Sequence, residues 1–122
     1  MQLEREPASE PNAIVGCADG EVRLRGAVHT TSLIVTRDRI IEGWRPAALE
    51  QLTIEDFAPI LAAPPEILLL GTGRSQRMPP PALYASLAAR GIGLEAMDNR
   101  AACRTYNLLL SEFRNVAAAL LL

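Results

Sequence analysis

The clearest candidate for a binding site is the turn Gly71-Thr72-Gly73, which directly follows an apolar stretch. Such a turn can present backbone N–H groups to an anion, and Arg74 and Arg77 would add positive charge. A purely structural turn is the competing interpretation. A third glycine is missing, and the next helix begins several residues later than in a dinucleotide-binding fingerprint.

Two polar residues farther along the chain could act with this turn. Asp98 falls at a strand-to-helix junction, where Asp is the usual N-cap, although it could also serve as a general acid or base. Asn107 lies in mid-helix off the apolar stripe, where Asn disfavours helix formation, so it should bond a specific neighbour. That neighbour could be a ligand or, alternatively, a backbone carbonyl or amide of a neighbouring loop. Ligands of open α/β sheets bind at the carboxyl ends of parallel strands. A pocket, if present, is therefore predicted at Gly71, Thr72, Gly73, Arg74, Asp98 and Asn107.

Other reactive groups form no recognisable catalytic set. His29 is the only histidine, and it could pair with Cys17 as a base with a nucleophile, but no orienting group or oxyanion turn accompanies them. One His and two scattered cysteines, Cys17 and Cys103, lack metal-ligand spacing. All 12 basic residues are Arg, which removes Schiff-base chemistry and a P-loop lysine. We therefore expect no metal and no cofactor, and the sequence favours a protein that is not an enzyme.

Length and charge limit the class of protein. The 122 residues correspond to one domain, which we place at residues 13–122 after a polar, disordered tail at residues 1–12. A net charge of −2 without a basic block argues against a nucleic-acid partner. No signal peptide is visible and no apolar run reaches the ~20 residues of a membrane span, so we predict a cytoplasmic protein. The two cysteines are then expected to be reduced structural thiols, although one disulfide is conceivable.

The elements that would position these residues can be read from the periodicity. Alternation and the Asp19-Gly20 turn predict a hairpin of residues 13–18 and 21–25. Residues 30–36 and 39–44 form two further strands, and a short helix runs from Thr53 to about Ala62. A strand at 67–70, a helix at 82–90 and a parallel strand at 92–97 form a βαβ unit.

The end of the chain completes the predicted core. Asp98 caps a long helix that buries Ala102, Tyr106, Leu109, Leu110 and Phe113. Residues 116–122 are continuously apolar, so they should form a strand inside the sheet instead of an edge. Trp44 is interpreted as a core or rim residue, or alternatively as an exposed anchor for a protein partner.

Several motifs together resemble a family of small uncharacterised proteins of bacteria, archaea and eukaryotes. They are Gly71-Thr72-Gly73 after an apolar strand, the proline-rich helix start, Thr105-Tyr106-Asn107 and residues 114–120, and the similarity covers residues 12–122. Its best-understood eukaryotic member is a mitochondrial assembly factor for respiratory complex I. The resemblance implies a three-layer α/β fold with a mixed central sheet, packed helices and a smaller hairpin layer. It implies no established enzymatic activity. Phe113 departs from the pattern, which has a small residue, often Gly, before Arg114.

Two hypotheses follow. The first is a non-enzymatic interaction module that binds another protein during assembly of a larger complex, with Trp44 as an interaction residue. The second is a protein, with or without catalytic activity, that binds a small molecule or anion in the crevice near Gly71 and Asp98. Both a monomer and a homo-oligomer are compatible with the sequence.

Overall fold

The computed structural model describes residues 10–46 and 48–122. Most of the predicted tail, residues 1–9, lies outside this part of the chain. Residues 10–12 of that tail are described, and they pack on the domain. Glu10 is only 5% exposed and Asn12 is buried, so the folded part already includes residue 10.

A small antiparallel sheet begins the fold. It consists of β1 (Gly16–Ala18), β2 (Glu21–Leu24) and β3 (Ala27–His29), in that order across the sheet. The predicted Asp19-Gly20 turn joins β1 to β2. The second hairpin was not predicted. Its turn is Arg25-Gly26, where both residues have positive φ (54° and 75°), as a tight two-residue hairpin requires.

The central sheet has five strands and is mixed. Its members are β4 (Leu33–Thr36), β5 (Ile40–Ile41), β6 (Ile67–Gly71), β7 (Gly93–Met97) and β8 (Val116–Leu120), in the order β5-β4-β8-β6-β7. β6 is parallel to both β7 and β8, whereas β4 is antiparallel to β8 and β5. The predicted βαβ unit and the buried last strand are confirmed.

Helices cover both faces of this sheet. The predicted helix at 53–62 is a 3-10 turn, Ile54–Phe57, followed by α1 (Ala58–Leu61). α2 (Pro81–Ala88) joins β6 to β7, and α3 (Asn99–Ser111) joins β7 to β8. α3 and the small sheet pack on one face, while α2, Trp44 and the 3-10 turns pack on the other. The predicted three-layer arrangement is therefore confirmed.

The chain before β1 is held along α3 by side chains of that helix. The Ile14 N–H donates to Oδ1 of Asn107 at 2.9 Å, and Nδ2 of Asn107 donates to the Ile14 carbonyl at 2.7 Å. The Tyr106 hydroxyl donates to the Asn12 carbonyl at 3.1 Å. Asn107 thus satisfies both backbone groups of one residue, as a neighbouring strand would.

The C-terminal end of α3 is closed by Arg37. Its Nη2 donates to the carbonyls of Leu110 and Arg114, both at 3.1 Å, and its Nη1 lies 2.9 Å from Glu10 Oε2. Phe113 follows the helix with φ 62° and is 63% exposed, so its predicted place in the core is wrong. Its ring instead lies over the Arg37 guanidinium, 5.8 Å from the centroid.

The backbone at Phe113 gives a first prediction. Phe113→Gly should be more stable than Phe113→Ala by about 1 kcal/mol, because the left-handed conformation penalises a residue that carries a Cβ. Both variants lose the ring contact with Arg37, so that contact cancels in the comparison. The midpoint of urea unfolding measures the difference. An alanine variant as stable as the glycine variant would contradict the backbone argument.

The paired bonds of Asn107 give a second prediction. Asn107→Ala should lower the free energy of unfolding by about 2 kcal/mol, because both backbone groups of Ile14 lose their partner. The matched control is Asn115→Ala, which loses one exposed bond to the Pro64 carbonyl and should change stability by less than about 0.5 kcal/mol. Urea unfolding measures both free energies. Equal losses of stability in the two variants would contradict the proposed role of Asn107 in holding Ile14.

Candidate functional site

A crevice lies at the carboxyl ends of β6 and β7, with a cavity of about 230 Å³. Gly73 and Arg74 follow β6, Asp98 and Asn99 follow β7, and the turn between β1 and β2 forms the facing wall. The structure therefore brings together three of the predicted site residues, Gly73, Arg74 and Asp98. The lining consists of residues 17–20, 73–74, 98–100 and 121–122.

The glycine turn is shaped by contacts with the first residue of α3. Gly71 has no room for a side chain, since a Cβ there would collide with Asn99 and with Leu120. Gly73 has φ 100°, and its N–H donates to Oδ1 of Asn99 at 3.1 Å. The Asn99 N–H returns a bond to the Gly73 carbonyl at 2.8 Å. At least one N–H of the turn is thus already used within the protein.

The polar groups of Thr72 are also hydrogen-bonded within the protein. It is buried, and its hydroxyl donates to the Ser75 carbonyl at 2.7 Å and accepts the Arg77 N–H at 3.1 Å. Its own N–H donates to the Met97 carbonyl at 2.8 Å. The hydroxyl therefore fixes the conformation of residues 72–77, and the backbone N–H joins Thr72 to β7.

Asn99 is the residue that sequence reasoning missed. Its Nδ2 donates to the Leu121 carbonyl at 2.9 Å, so the one amide joins the glycine turn, the start of α3 and the end of β8. It is buried at a helix N-terminus, where a polar residue is ordinary. The signal that could have revealed it is Gly71, because a glycine ending a buried strand marks a close approach by another group.

Asp98 acts as the predicted N-cap. Its Oδ1 accepts the Ala101 N–H at 2.9 Å, and its own conformation is extended. The positive end of the α3 dipole favours a carboxylate here. One oxygen of this side chain is therefore engaged in the helix start that it was predicted to stabilise.

The two arginines predicted to add positive charge to the turn lie in different places. Arg74 is largely exposed, and its Nε lies 3.4 Å from Oδ2 of Asp19 in the facing hairpin turn. Arg77 does not line the crevice, because it pairs with Glu50. Arg74 is thus the arginine of the predicted pair that remains at the cavity, where Arg100 joins it.

Two predicted site residues lie elsewhere. Asn107 binds Ile14, outside the lining of the crevice, so its grouping with the pocket is wrong. Trp44 is only 6% exposed, packs on the Phe57 ring at 5.5 Å and donates its indole N–H to the Asp56 carbonyl at 2.7 Å. It is a core residue, and the prediction of an exposed anchor at Trp44 is wrong.

The alternative catalytic pair is separated by a strand. Cys17 is the register partner of Val22, and Val22 is the register partner of His29. Cys17 and His29 therefore stand two strand spacings apart, roughly 9.5 Å. His29 instead lies 3.8 Å from Glu42. Within residues 10–46 and 48–122, no three His, Cys, Asp or Glu side chains are grouped as metal ligands.

A second concave surface lies at the start of α2. It has a volume of about 730 Å³, and we call it the proline groove. Met78 at its side is 65% exposed, although most large apolar side chains are buried. Its lining is Glu50, Met78, Pro79, Pro80, Pro81 and Tyr84.

None of the helices in the described part of the chain is long and apolar enough to cross a lipid bilayer. α3, at 13 residues, is the longest of the α-helices described above.

Known proteins resemble this chain over nearly its whole length. A Francisella tularensis protein named "13 kDa major membrane protein" is 44% identical over 122 residues, which cover 99% of each chain. The solution structure of a Xanthomonas campestris protein superposes with a TM-score of 0.81 at 39% identity, covering 99% of this chain and 92% of that one. The fold is therefore shared with experimentally solved proteins.

A third relative carries a name that states a role. The Bos taurus protein "NADH dehydrogenase (ubiquinone) 1 alpha subcomplex assembly factor 3" is 37% identical over 81 residues. That alignment covers 64% of this chain and 44% of the bovine protein. Residues 14–121 match the family described as "Protein of unknown function (DUF498/DUF598)". This chain therefore belongs to the DUF498/DUF598 family.

Proposed function

We propose that this protein is a non-enzymatic interaction domain that binds a protein partner through the proline groove. The observation that carries the proposal is the exposed apolar surface of Met78 beside three consecutive prolines. A concave apolar surface with few polar groups is typical of a binding site. The bovine relative, whose name describes an assembly factor, supports a partner that is another protein.

The groove restricts how a partner could bind. Pro79, Pro80 and Pro81 have no backbone N–H, so this wall cannot donate hydrogen bonds to an added strand. Recognition must come from side-chain packing, for which Met78 is adaptable and Tyr84 supplies a rigid ring.

Charge at the rim indicates the chemistry of the partner. Backbone hydrogen bonding and the Arg77 side chain hold the pKa of Glu50 below its ordinary value, so this carboxylate is ionised at neutral pH. We therefore expect the partner to present an apolar side chain flanked by a basic residue, which would take the place of Arg77 beside Glu50. An exposed acid at a rim mainly steers association and contributes little affinity.

The crevice supports the non-enzymatic part of the proposal. The Thr72 hydroxyl, the Asn99 amide and one oxygen of Asp98 all bond backbone groups of the protein itself. A catalytic group needs to reach the substrate. Side chains already bonded in this way serve the fold. We also propose that the protein is cytoplasmic. Because the Francisella relative is named a membrane protein, the test of this proposal separates cytoplasmic and membrane fractions.

The groove is tested by a crosslinked pull-down from separated cytoplasmic and membrane fractions. Met78→Glu should recover about tenfold less partner, because it sets an unpaired charge against an apolar contact. Leu108→Glu is the matched control, since Leu108 is 57% exposed on α3, and it should recover the partner normally. Both variants should unfold at the wild-type temperature.

Three results would count against this proposal. They are equal recovery with both variants, loss with Leu108→Glu alone, or a bait crosslinked only to a second copy of itself. Recovery from the membrane fraction alone would overturn the cytoplasmic location while leaving the groove in place.

A second candidate function is binding of a small anion in the crevice. It is favoured by the convergence of Gly73, Arg74 and Arg100 on one cavity near the N-terminus of α3. The carboxylates of Asp19 and Asp98 oppose it. Arg74 would have to leave Asp19, from which it is separated by 3.4 Å, in order to contact a ligand.

The variant Arg74→Ala tests anion binding in the crevice without changing the proline groove. It should leave the melting temperature within about 2 °C of wild type, because an exposed ion pair contributes little stability. In a thermal-shift screen of phosphates and small carboxylates, it should abolish any ligand-induced rise seen with wild type. Arg90→Ala, a remote arginine, should keep that rise. A ligand shift that persists in Arg74→Ala would exclude this residue from the site.

A further inference from the structure

The two cysteines of the chain meet where the small sheet packs on α3. Cys17 in β1 is half-buried and packs against the core cluster that contains buried Cys103 of α3. Register partners on adjacent antiparallel strands point to the same face. Cys17 pairs with fully buried Val22, so its side chain faces the helix.

The register of the chain along α3 explains the meeting. Ile14 bonds Asn107, whereas Cys17 and the residues after it line the crevice with Asp98 and Arg100 at the start of α3, so the two segments run in opposite directions. Cys103 lies one helical turn before Asn107, and Cys17 lies three residues after Ile14. The two cysteines therefore reach the same level of the helix. Both cysteines line a cavity of about 290 Å³, and Cys17 is close enough to Cys103 to raise the pKa of its thiol.

We propose that Cys17 and Cys103 form a reversible disulfide, with a low-molecular-weight disulfide of the glutathione type as oxidant. The Cys17 thiolate attacks one sulfur of the oxidant, forming a mixed disulfide and releasing one thiol. The Cys103 thiolate then attacks Cys17 Sγ and displaces the second thiol. Two protein thiols are oxidised, the small disulfide is reduced to two thiols, and the two protons pass to the released thiolates.

The order of attack follows from access and charge. Cys17 borders two cavities, whereas Cys103 is buried. Burial raises the pKa of the Cys103 thiol, and its contact with Cys17 adds to the rise. Cys17 is thus the attacking residue and Cys103 the resolving one. The positive charge of Arg104 acts in the opposite direction on the Cys103 pKa and favours the thiolate that the second step needs.

The bond would fix one wall of the crevice. Cys17 directly precedes Ala18 and Asp19, which line that cavity with Arg74. A covalent link to α3 joins this wall to the helix that carries Asp98 at its start. The redox state of the pair would therefore control how far the hairpin can move away from Arg74.

The test uses the full chain in buffers of oxidised and reduced glutathione, followed by alkylation and intact-mass measurement. Wild type should lose both alkylation sites together, remain a monomer on a non-reducing gel and melt at least ~5 °C higher, because the bond closes a long loop. Dithiothreitol should reverse the shift. Cys103→Ala should stop at a glutathione adduct on Cys17, and Cys17→Ser should keep Cys103 free of adduct.

Three results would overturn the proposal. They are a stable glutathione adduct on wild-type Cys17 without loss of the Cys103 site, disulfide-linked dimers as the main product, or wild type that keeps both thiols in the most oxidising buffer. Cys17→Ser alters a half-buried strand residue, so this variant should fold even if Cys103→Ala does not. Oxidation of Cys103 in the Cys17→Ser variant would exclude the proposed order of attack.

Discussion

The packing of the N-terminal segment on α3 is the constraint on which the rest of the structure depends. The small sheet has only three short strands, and a sheet of this size gains much of its stability from packing against a helix. Asn107 and Tyr106 bond the backbone just before β1, so the hairpins can pack on α3 in only one register. Because that register is fixed, Val22 and Leu24 enter the core, and the hairpin turn reaches the crevice.

The central sheet could be predicted because its signals are local and strong. Continuous apolar runs marked β6 and β8 as interior strands, and the length of the connection through α2 set β6 and β7 parallel. The second hairpin was missed because Arg25 is an unusual residue for positive φ. Phe113 was misplaced for a related reason. Helical periodicity put it on the apolar face, but α3 had already ended at Ser111.

The candidate site could be predicted only in part. The edge of the sheet at which polar residues gather follows from strand direction, so the grouping of Gly73, Arg74 and Asp98 was within reach. Asn99 was missed, and Asn107 was grouped with the pocket although its bond to the backbone of another segment had also been predicted, because an amide makes bonds of similar strength with a ligand and with a backbone. Only the fold decides which backbone lies opposite, and the partners Ile14 and Leu121 are distant in sequence. Trp44 illustrates the same limit, since burial depends on neighbours such as Phe57.

The position of β8 has a consequence for synthesis of the protein on the ribosome. β4 and β6 lie on either side of β8 and do not pair with each other. Both must therefore wait, with unpaired edges, until residues 116–120 have emerged from the exit tunnel. Leu33 pairs with Leu120 across most of the chain, and such distant pairing slows folding. The nascent chain thus carries two apolar strand edges that chaperones would be expected to cover.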